Sequence, residues 1–412
     1  MGDHYDVVIA GAGPAGAQCA RDLAAREYDV LVLETEAEAE FPRQSNKSTA
    51  GTFPSMMTSF SIPNDVVMNF TDNVVLESPS SSYTREQPGA VLEFADFKRF
   101  LVADGRERGA EYRFDARVSK PIVEDGKAVG VRYDGDEEVY ADVVVDATGP
   151  AAPLAKAMGV SDLERERQAI GVEWEFEGVA IDHPDYADLT DAMMLRLDHD
   201  LAPGGYSWIF HTGDDTAKVG LCYIQNESHR RYATNGMGID DYMEYWLDSD
   251  PRFADAERIE GKSAHRGSAH IQPPGEALSA PGFMAIGDTV PTIDPLWGEG
   301  IHKGMKSARA AAATADACLT PNESDTSAEA MAVYDRLWHS EVAPKMGTRL
   351  LMTELLYLAD NDRYDQLMAD LRAADGDTLT AVNNGDKLAA RKLFHLSDLP
   401  LLAKVARKHF GV

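Results

Sequence analysis

The chain has 412 residues, 69 acidic against 39 basic, and a formal net charge of −30. Such a field repels polyphosphates and argues against nucleic-acid binding, while the absence of any run of about 18 apolar residues argues against a membrane span. Three cysteines (Cys19, Cys222, Cys318) share no metal spacing and are too few for a four-cysteine iron–sulfur cluster, so no metal site is expected.

The N-terminus enters an apolar run, Tyr5 to Ala10, almost at once, so no secretory leader is expected. Val7, Val8 and Ile9 read as a strand buried on both faces. Gly11-Ala12-Gly13-Pro14-Ala15-Gly16 follows. Its glycines allow a tight turn and close backbone approach to a pyrophosphate, and Pro14 suits the first turn of a helix over Ala15 to Arg26. The free amides and positive dipole end of that helix would face the phosphates. A second strand, Asp29 to Leu33, ends in Glu34, whose carboxylate can accept ribose hydroxyls. No arginine suited to a 2′-phosphate follows Glu34, which favours FAD or NAD over NADP.

Residues 40–62 read as a polar loop running into a helix, and elements near 65–95 as an insertion. Phe94 to Gly109 has helical periodicity. Tyr112 to Val118, Ile122 to Asp125, Ala128 to Tyr133 and Glu138 to Val145 read as strands, the last running into Asp146-Ala147-Thr148-Gly149. Residues 168–226 alternate, as in Gly171-Val172-Glu173-Trp174-Glu175-Phe176-Glu177, and predict an antiparallel sheet with one wet face. In a strand, Tyr206, Trp208 and Phe210 share one face and would form an apolar wall.

A second glycine signature stands far downstream. The short strand Phe283 to Ile286 leads into Gly287-Asp288, then Asp294-Pro295-Leu296-Trp297-Gly298-Glu299-Gly300-Ile301. Asp288 is placed to accept a hydrogen bond from a polyol hydroxyl. The Gly298–Ile301 turn opens a helix rich in small residues, whose N-terminal dipole would face a flavin ring. Two separated nucleotide signatures indicate FAD, because a returning segment must hold the ribityl chain and the ring. Segments 327–343, 347–358, 362–373 and 385–410 read as amphipathic helices. The expected organisation is residues 1–165 as the first part of a dinucleotide-binding domain, 166–275 as an antiparallel-sheet substrate domain, 276–325 as the returning part, and 326–412 as a helical region.

With these residues the chain resembles the geranylgeranyl reductases, and especially the archaeal digeranylgeranylglycerophospholipid reductases. The resemblance rests on the N-terminal GxGxxG, Glu34, the Ala-Thr-Gly strand end, Gly287-Asp288, the Gly-Glu-Gly-Ile turn and Ala202-Pro203-Gly204-Gly205-Tyr206-Ser207-Trp208-Ile209-Phe210. It implies an α/β, FAD-binding two-dinucleotide fold like that of the aromatic hydroxylases, with an inserted antiparallel-sheet substrate domain and C-terminal helices. It implies a cofactor site at Gly11, Gly13, Pro14, Ala15, Gly16, Glu34, Lys47, Ser48, Thr49, Gly51, Val118, Gly149, Gly287, Asp288, Gly298, Gly300 and Ile301. Tyr206, Trp208, Phe210 and Trp297 would meet the isoprenoid, with Ser48 and Tyr206 as candidate catalytic groups. The chain departs from the family at Ser48, where relatives carry a cysteine, and at Phe94, His211 and Trp297.

The implied reaction is reduction of C=C bonds in geranylgeranyl chains of archaeal-type membrane lipids or related isoprenoids. Its electrons would come from a ferredoxin, NAD(P)H or a deazaflavin, in the cytoplasm or at the membrane surface. A flavin monooxygenase or dehydrogenase of the same fold is the enzymatic alternative, although no halogenase-type Trp-x-Trp-x-Ile-Pro segment is present. A prenyl-binding protein without catalysis is the alternative of another class.

The acidic surface suits molar salt, where the Debye length falls to about 3 Å, and points to a salt-adapted prokaryotic source. Dialysis into low salt is expected to unfold the protein; an unchanged circular dichroism spectrum there contradicts this reading.

Overall fold

The computed structural model describes residues 3–43, 50–320 and 323–410. The chain forms two compact units. One comprises Met1–Lys47, Glu93–Glu164 and Ala269–Pro344; the other comprises Ser48–Leu92, Arg165–Ser268 and Lys345–Val412.

The first unit is built on an eight-stranded sheet. Along its path lie Ser279–Ala280, Phe283–Ala285, Glu137–Asp146, His4–Ala10, Val30–Leu33 and Glu111–Arg113. From Phe283–Ala285 onward these strands pair in parallel. Val7, Val8, Ile9, Val30, Leu31, Val32, Val143, Val144 and Val145 are all fully buried, as strands covered on both faces require. Val118–Glu124 and Lys127–Tyr133 add an antiparallel extension. The helices Pro14–Ala24 and Ile301–Cys318 lie close together, because small side chains face each other; a Cβ on Gly304 would sit only 3.7 Å from that of Ala15. The expected strand from Tyr112 to Val118 is interrupted. Asp115 turns to φ +55° and donates its amide to Glu36 O, so pairing stops at Arg113 and resumes at Val118.

The second unit carries a nine-stranded sheet. Its central path is Gln168–Glu177, Thr216–Ile224, Gly205–Gly213, Ala192–Arg196, Val67–Glu77 and Ser82–Leu92. One face holds Val172, Phe176, Val219, Leu221, Ile209, Met194 and Val75, packed beneath Tyr242, Met243 and Trp246 of the helix Ile239–Ser249. The opposite face was expected to be wet, and it is not. Glu173 and Glu175 are 3% and 5% exposed and are held by the partners described below. The C-terminal helices Met346–Leu358 and Asn361–Ala373 also belong to this unit. The single helix expected over 385–410 is divided into the helix Lys387–Ala390, two short 3₁₀ turns and the helix Leu399–Phe410. Asp386 caps the first piece through the amides of Leu388 and Ala389. Asp398 accepts the His395 amide, and Pro400 falls in the first turn of the last piece, where it cannot continue an earlier helix.

His199 ties the loop before the aromatic strand to the C-terminal helices. It is 4% exposed. Its Nδ1 accepts the Gly204 amide at 3.1 Å, its Nε2 lies 2.8 Å from the Ala359 carbonyl, and its ring stacks on Tyr232 at 3.7 Å. A ring that accepts on one nitrogen and donates from the other is neutral. Burial pushes its pKa down from 6.5 to about 4. A depressed histidine pKa means stability is lost as pH falls from 6.5 towards about 4. Thermal unfolding should show that decline in the wild type. His199→Leu should lower stability at neutral pH by about 1–3 kcal/mol, from the orphaned Gly204 amide, and should flatten the decline; equal pH slopes in the two proteins would contradict the assignment.

Candidate active site

Register places the first unit's motifs together. Ala10 pairs with Leu33 on one side and with Asp146 on the other, and Asp146 pairs with Ala285. The residues that follow, Gly11, Glu34, Ala147 and Ile286-Gly287, therefore leave the sheet at one edge. This is the carboxyl edge, where ligands bind in open α/β sheets. Backbone hydrogen bonds continue the ladder past the strand ends. Gly11 N–H donates to Leu33 O at 2.8 Å, Ala147 N–H to Ala10 O at 2.8 Å and Ile286 N–H to Asp146 O at 2.9 Å.

The glycine turn is tight enough to demand its composition. Gly11 adopts φ +101°, and a Cβ there would lie 2.6 Å from Ala147 O. A Cβ on Gly16 would lie 2.0 Å from Gly11 O. Gly13 faces open space, with nothing within 4 Å of such an atom, and it precedes Pro14 at the start of the helix Pro14–Ala24. Side-chain-free backbone, open space and helix amides make an anion cradle. Glu34 is 8% exposed. One of its oxygens accepts the Ala12 amide at 2.7 Å and the other the Glu36 amide at 3.0 Å. Each retains a lone pair for a further donor.

Asp146, which sequence reasoning treated only as a strand end, locks the neighbouring turn. It is fully buried. One oxygen accepts from the Thr148 amide and hydroxyl, and the other from the Ala155 amide. That arrangement holds Ala147 and Thr148 beside Gly11. Val118 opens the antiparallel extension, and Ala116, two residues earlier, donates its amide to Glu34 O.

The returning segment is held by two hydroxyls that left no readable signal. Ser307 Oγ accepts the Gly287 amide at 2.9 Å, and Thr292 Oγ1 donates to Gly287 O at 2.7 Å. Asp288 then stands as a carboxyl without a hydrogen-bond or ion-pair partner among the described residues. Burial alone pushes its pKa up from 3.8 to about 6. A Cβ on Gly300 would lie 3.6 Å from its Oδ1, so Asp288 adjoins the Gly298–Ile301 turn. An unpartnered, half-buried carboxylate beside that turn suits a hydroxyl-bearing ligand.

The same turn is braced from within. Asp294 accepts the amides of Leu296 and Trp297 and pairs with Lys303 at 3.4 Å. Glu299 accepts the His302 amide in the first turn of Ile301–Cys318, and its pKa rises to about 7, chiefly through burial. That helix end therefore carries an internal carboxylate, which sequence reasoning did not foresee. Trp297 is half-buried in this unit.

The second unit holds the remaining described candidates. Tyr206, Trp208 and Phe210 share one face of Gly205–Gly213, with the first two rings 5.7 Å apart. Two glycines make room for them. A Cβ on Gly220 would lie 2.2 Å from the Trp208 ring, and one on Gly51 would lie 2.3 Å from the Phe210 ring. Gly51 pairs with Val91 in this sheet. The Trp208 indole N–H donates to Glu173 Oε2 at 2.9 Å, and His265 Nδ1 approaches Glu173 Oε1 at 3.4 Å. Lys218, 1% exposed and opposite Phe210 in register, donates to Leu92 O at 2.9 Å. Lys262 contacts Glu175 at 3.1 Å. Burial holds the Tyr206 phenol well above its ordinary pKa of 10. Lys47, Ser48 and Thr49 lie outside the described residues.

The architecture is that of the FAD-binding fold shared by geranylgeranyl reductase-like proteins and flavin-dependent halogenases. A geranylgeranyl bacteriochlorophyll reductase-like protein of Thermoplasma acidophilum superposes with a TM-score of 0.81 at 21% identity, covering 100% of this chain and 98% of its own. A flavin-dependent brominase superposes at 0.72 and 21% identity, over 98% of this chain and 100% of its own. Residues 6–209 match the Lycopene cyclase protein family, and residues 180–264 the Geranylgeranyl reductase catalytic domain. A digeranylgeranylglycerophospholipid reductase of Haloferax volcanii is 67% identical over 411 residues, spanning 100% of both chains, and one from Methanopyrus kandleri is 30% identical over 82% of this chain and 86% of its own. The chain belongs to the digeranylgeranylglycerophospholipid reductase family.

Asp288→Asn should weaken binding of added FAD roughly ten- to hundred-fold by the loss of a charge-assisted hydrogen bond, with the circular dichroism unchanged. In the wild type the affinity should rise as the pH passes through about 6 and Asp288 ionises, and in the variant it should not. A flavin fluorescence titration with equal pH profiles for both proteins would contradict the placement.

Proposed function

We propose that this chain is an FAD-dependent oxidoreductase that saturates C=C bonds of geranylgeranyl chains in archaeal-type membrane lipids. The observation that carries the reading is the identity of 67% over the full length to a digeranylgeranylglycerophospholipid reductase. The residues at the carboxyl edge of the parallel sheet fit the cofactor. The turn from Gly11 to Gly16 and the amides of Pro14–Ala24 would take the pyrophosphate, and Glu34 would take the adenosine ribose. Val118 and Gly149 would flank the nucleotide, and Asp288 would accept a ribityl hydroxyl. The Gly298–Ile301 turn would border the ring.

FAD, when bound and reduced, supplies the hydride that an unactivated alkene accepts poorly. The chain's own residues supply position and dryness. Tyr206, Trp208 and Phe210 would give an isoprenoid a flat apolar wall without mobile aliphatic side chains. The Glu173 carboxylate keeps the Trp208 indole in one orientation. A phenol whose pKa is held well above 10 keeps its proton and is a weak acid, so Tyr206 serves the wall better than it serves proton delivery. Ser48 is the other candidate for the proton. Electrons would enter from an external donor such as a ferredoxin, NAD(P)H or a deazaflavin. No described helix is long and apolar enough to cross a membrane. A lipid substrate would be met at the membrane surface.

The purified protein should be yellow, or should become so with added FAD. After dithionite reduction it should add two hydrogens per double bond to a digeranylgeranyl lipid, as read by mass spectrometry. Trp208→Ala should raise KM about tenfold or more, in line with the loss of an aromatic anchor, and leave the flavin spectrum intact. Oxygen-dependent hydroxylation of the product would favour the monooxygenase reading, and a colourless protein that binds prenyl chains but no FAD would favour the non-catalytic one.

A further inference from the structure

The C-terminal segment inverts the charge of the molecule. Residues 387–412 contain six basic residues (Lys387, Arg391, Lys392, Lys404, Arg407 and Lys408) and one acid, Asp398, in a chain whose net charge is −30. Asp398 is 5% exposed and already bound to Arg363 at 2.9 Å, so it adds little to the surface. The same segment carries three of the chain's most exposed large apolar side chains: Leu388 at 79%, Leu396 at 85% and Leu399 at 56%. Folding leaves them outward while their neighbours Leu401, Leu402 and Val405 pack on Leu351, Leu355 and Leu358 of the helix Met346–Leu358. Lys404 pairs with Glu227, and Lys392 lies 4.0 Å from Asp375. Lys387 and Arg391 have no ion pair among the described residues.

Scattered exposed leucines need no explanation, but three of them interleaved with a dense basic cluster do. An acidic protein spends solubility on such a patch. Apolar side chains flanked by cations are what an interfacial segment presents to an anionic bilayer: leucines enter the acyl boundary and lysines and arginines meet the headgroups.

We propose that residues 387–405, through Leu388, Leu396 and Leu399 and the surrounding lysines and arginines, form a docking surface for an anionic lipid bilayer. In concentrated salt the cations act only at contact distance, since the Debye length at 1 M is about 3 Å. The leucines therefore carry the affinity and the cations set the preference for anionic lipid. This surface is independent of the reductase reading, because it concerns residues outside the nucleotide cradle and the aromatic face.

Flotation of the full chain with vesicles tests it, with the protein followed by its own tryptophan fluorescence. The wild type should float with vesicles of phosphatidylglycerol and float several-fold less with phosphatidylcholine, at the lowest salt that preserves its circular dichroism. Leu388→Ser, Leu396→Ser and Leu399→Ser together should cut flotation at least tenfold while leaving the circular dichroism and FAD binding intact. Lys387→Gln with Arg391→Gln should remove the preference for phosphatidylglycerol and spare the remaining binding. Wild-type protein that floats with neither lipid, or a triple-serine protein that floats like the wild type, overturns the proposal. So does light scattering that finds a wild-type dimer, a triple-serine monomer and no flotation of either, which would assign the patch to a second copy of the chain.

Discussion

The hydrogen-bond ladder of the parallel sheet is the constraint on which the candidate site depends. Four strands end in step because Ala10 is paired with Leu33 and Asp146, and Asp146 with Ala285. Three segments far apart in the chain thereby release their turns at one height. A shift of one residue in any strand would turn its buried side chains to the other face and move its turn by about 3.3 Å. Because Val7, Val8, Ile9 and Val143 to Val145 are close-packed on both faces, each shifted side chain would enter a space shaped for another, which makes such a shift costly. Gly11, Glu34, Ala147 and Gly287 thus inherit their positions from a core that touches no ligand.

The second unit solves a different problem. An aromatic wall on an antiparallel sheet needs room beneath its rings and a partner for each buried N–H. Gly220 and Gly51 supply the room, and Glu173 supplies the partner for Trp208. Burying Glu173, Glu175 and Lys218 has a desolvation cost, and each is offset by a hydrogen bond or ion pair at 2.9 to 3.1 Å. Removing one partner alone would leave a buried charge uncompensated, so these groups act as a set.

Reductases and halogenases share this fold at similar structural likeness, so the architecture does not choose between them. The choice comes from identity over the full length and from motifs on the antiparallel sheet. The acidic composition agrees with a halophilic reading, and the Haloferax relative fits it. That surface concerns solubility in salt and says little about chemistry.

The sequence by itself determined the glycine-rich turn after the first strand, the acid Glu34, the returning Gly287-Asp288 segment and the single face of Tyr206, Trp208 and Phe210. Each rests on local rules: glycine where the backbone crowds, a carboxylate after a strand, and side chains alternating every second residue. Only the tertiary structure decided that Glu173 and Glu175 are buried, because alternation reports a face and not what covers it. The same holds for the clamps at Asp146, Ser307 and Thr292, whose partners are chosen by packing across strands and helices. Local capping by Asp386 and Asp398 broke the last expected helix, since a short hydrogen bond to a free amide outweighs an amphipathic pattern read over a longer stretch. The unpartnered carboxyl of Asp288 belongs to both accounts: its position in the motif was legible, and its lack of a partner was visible only once the chain had folded around it.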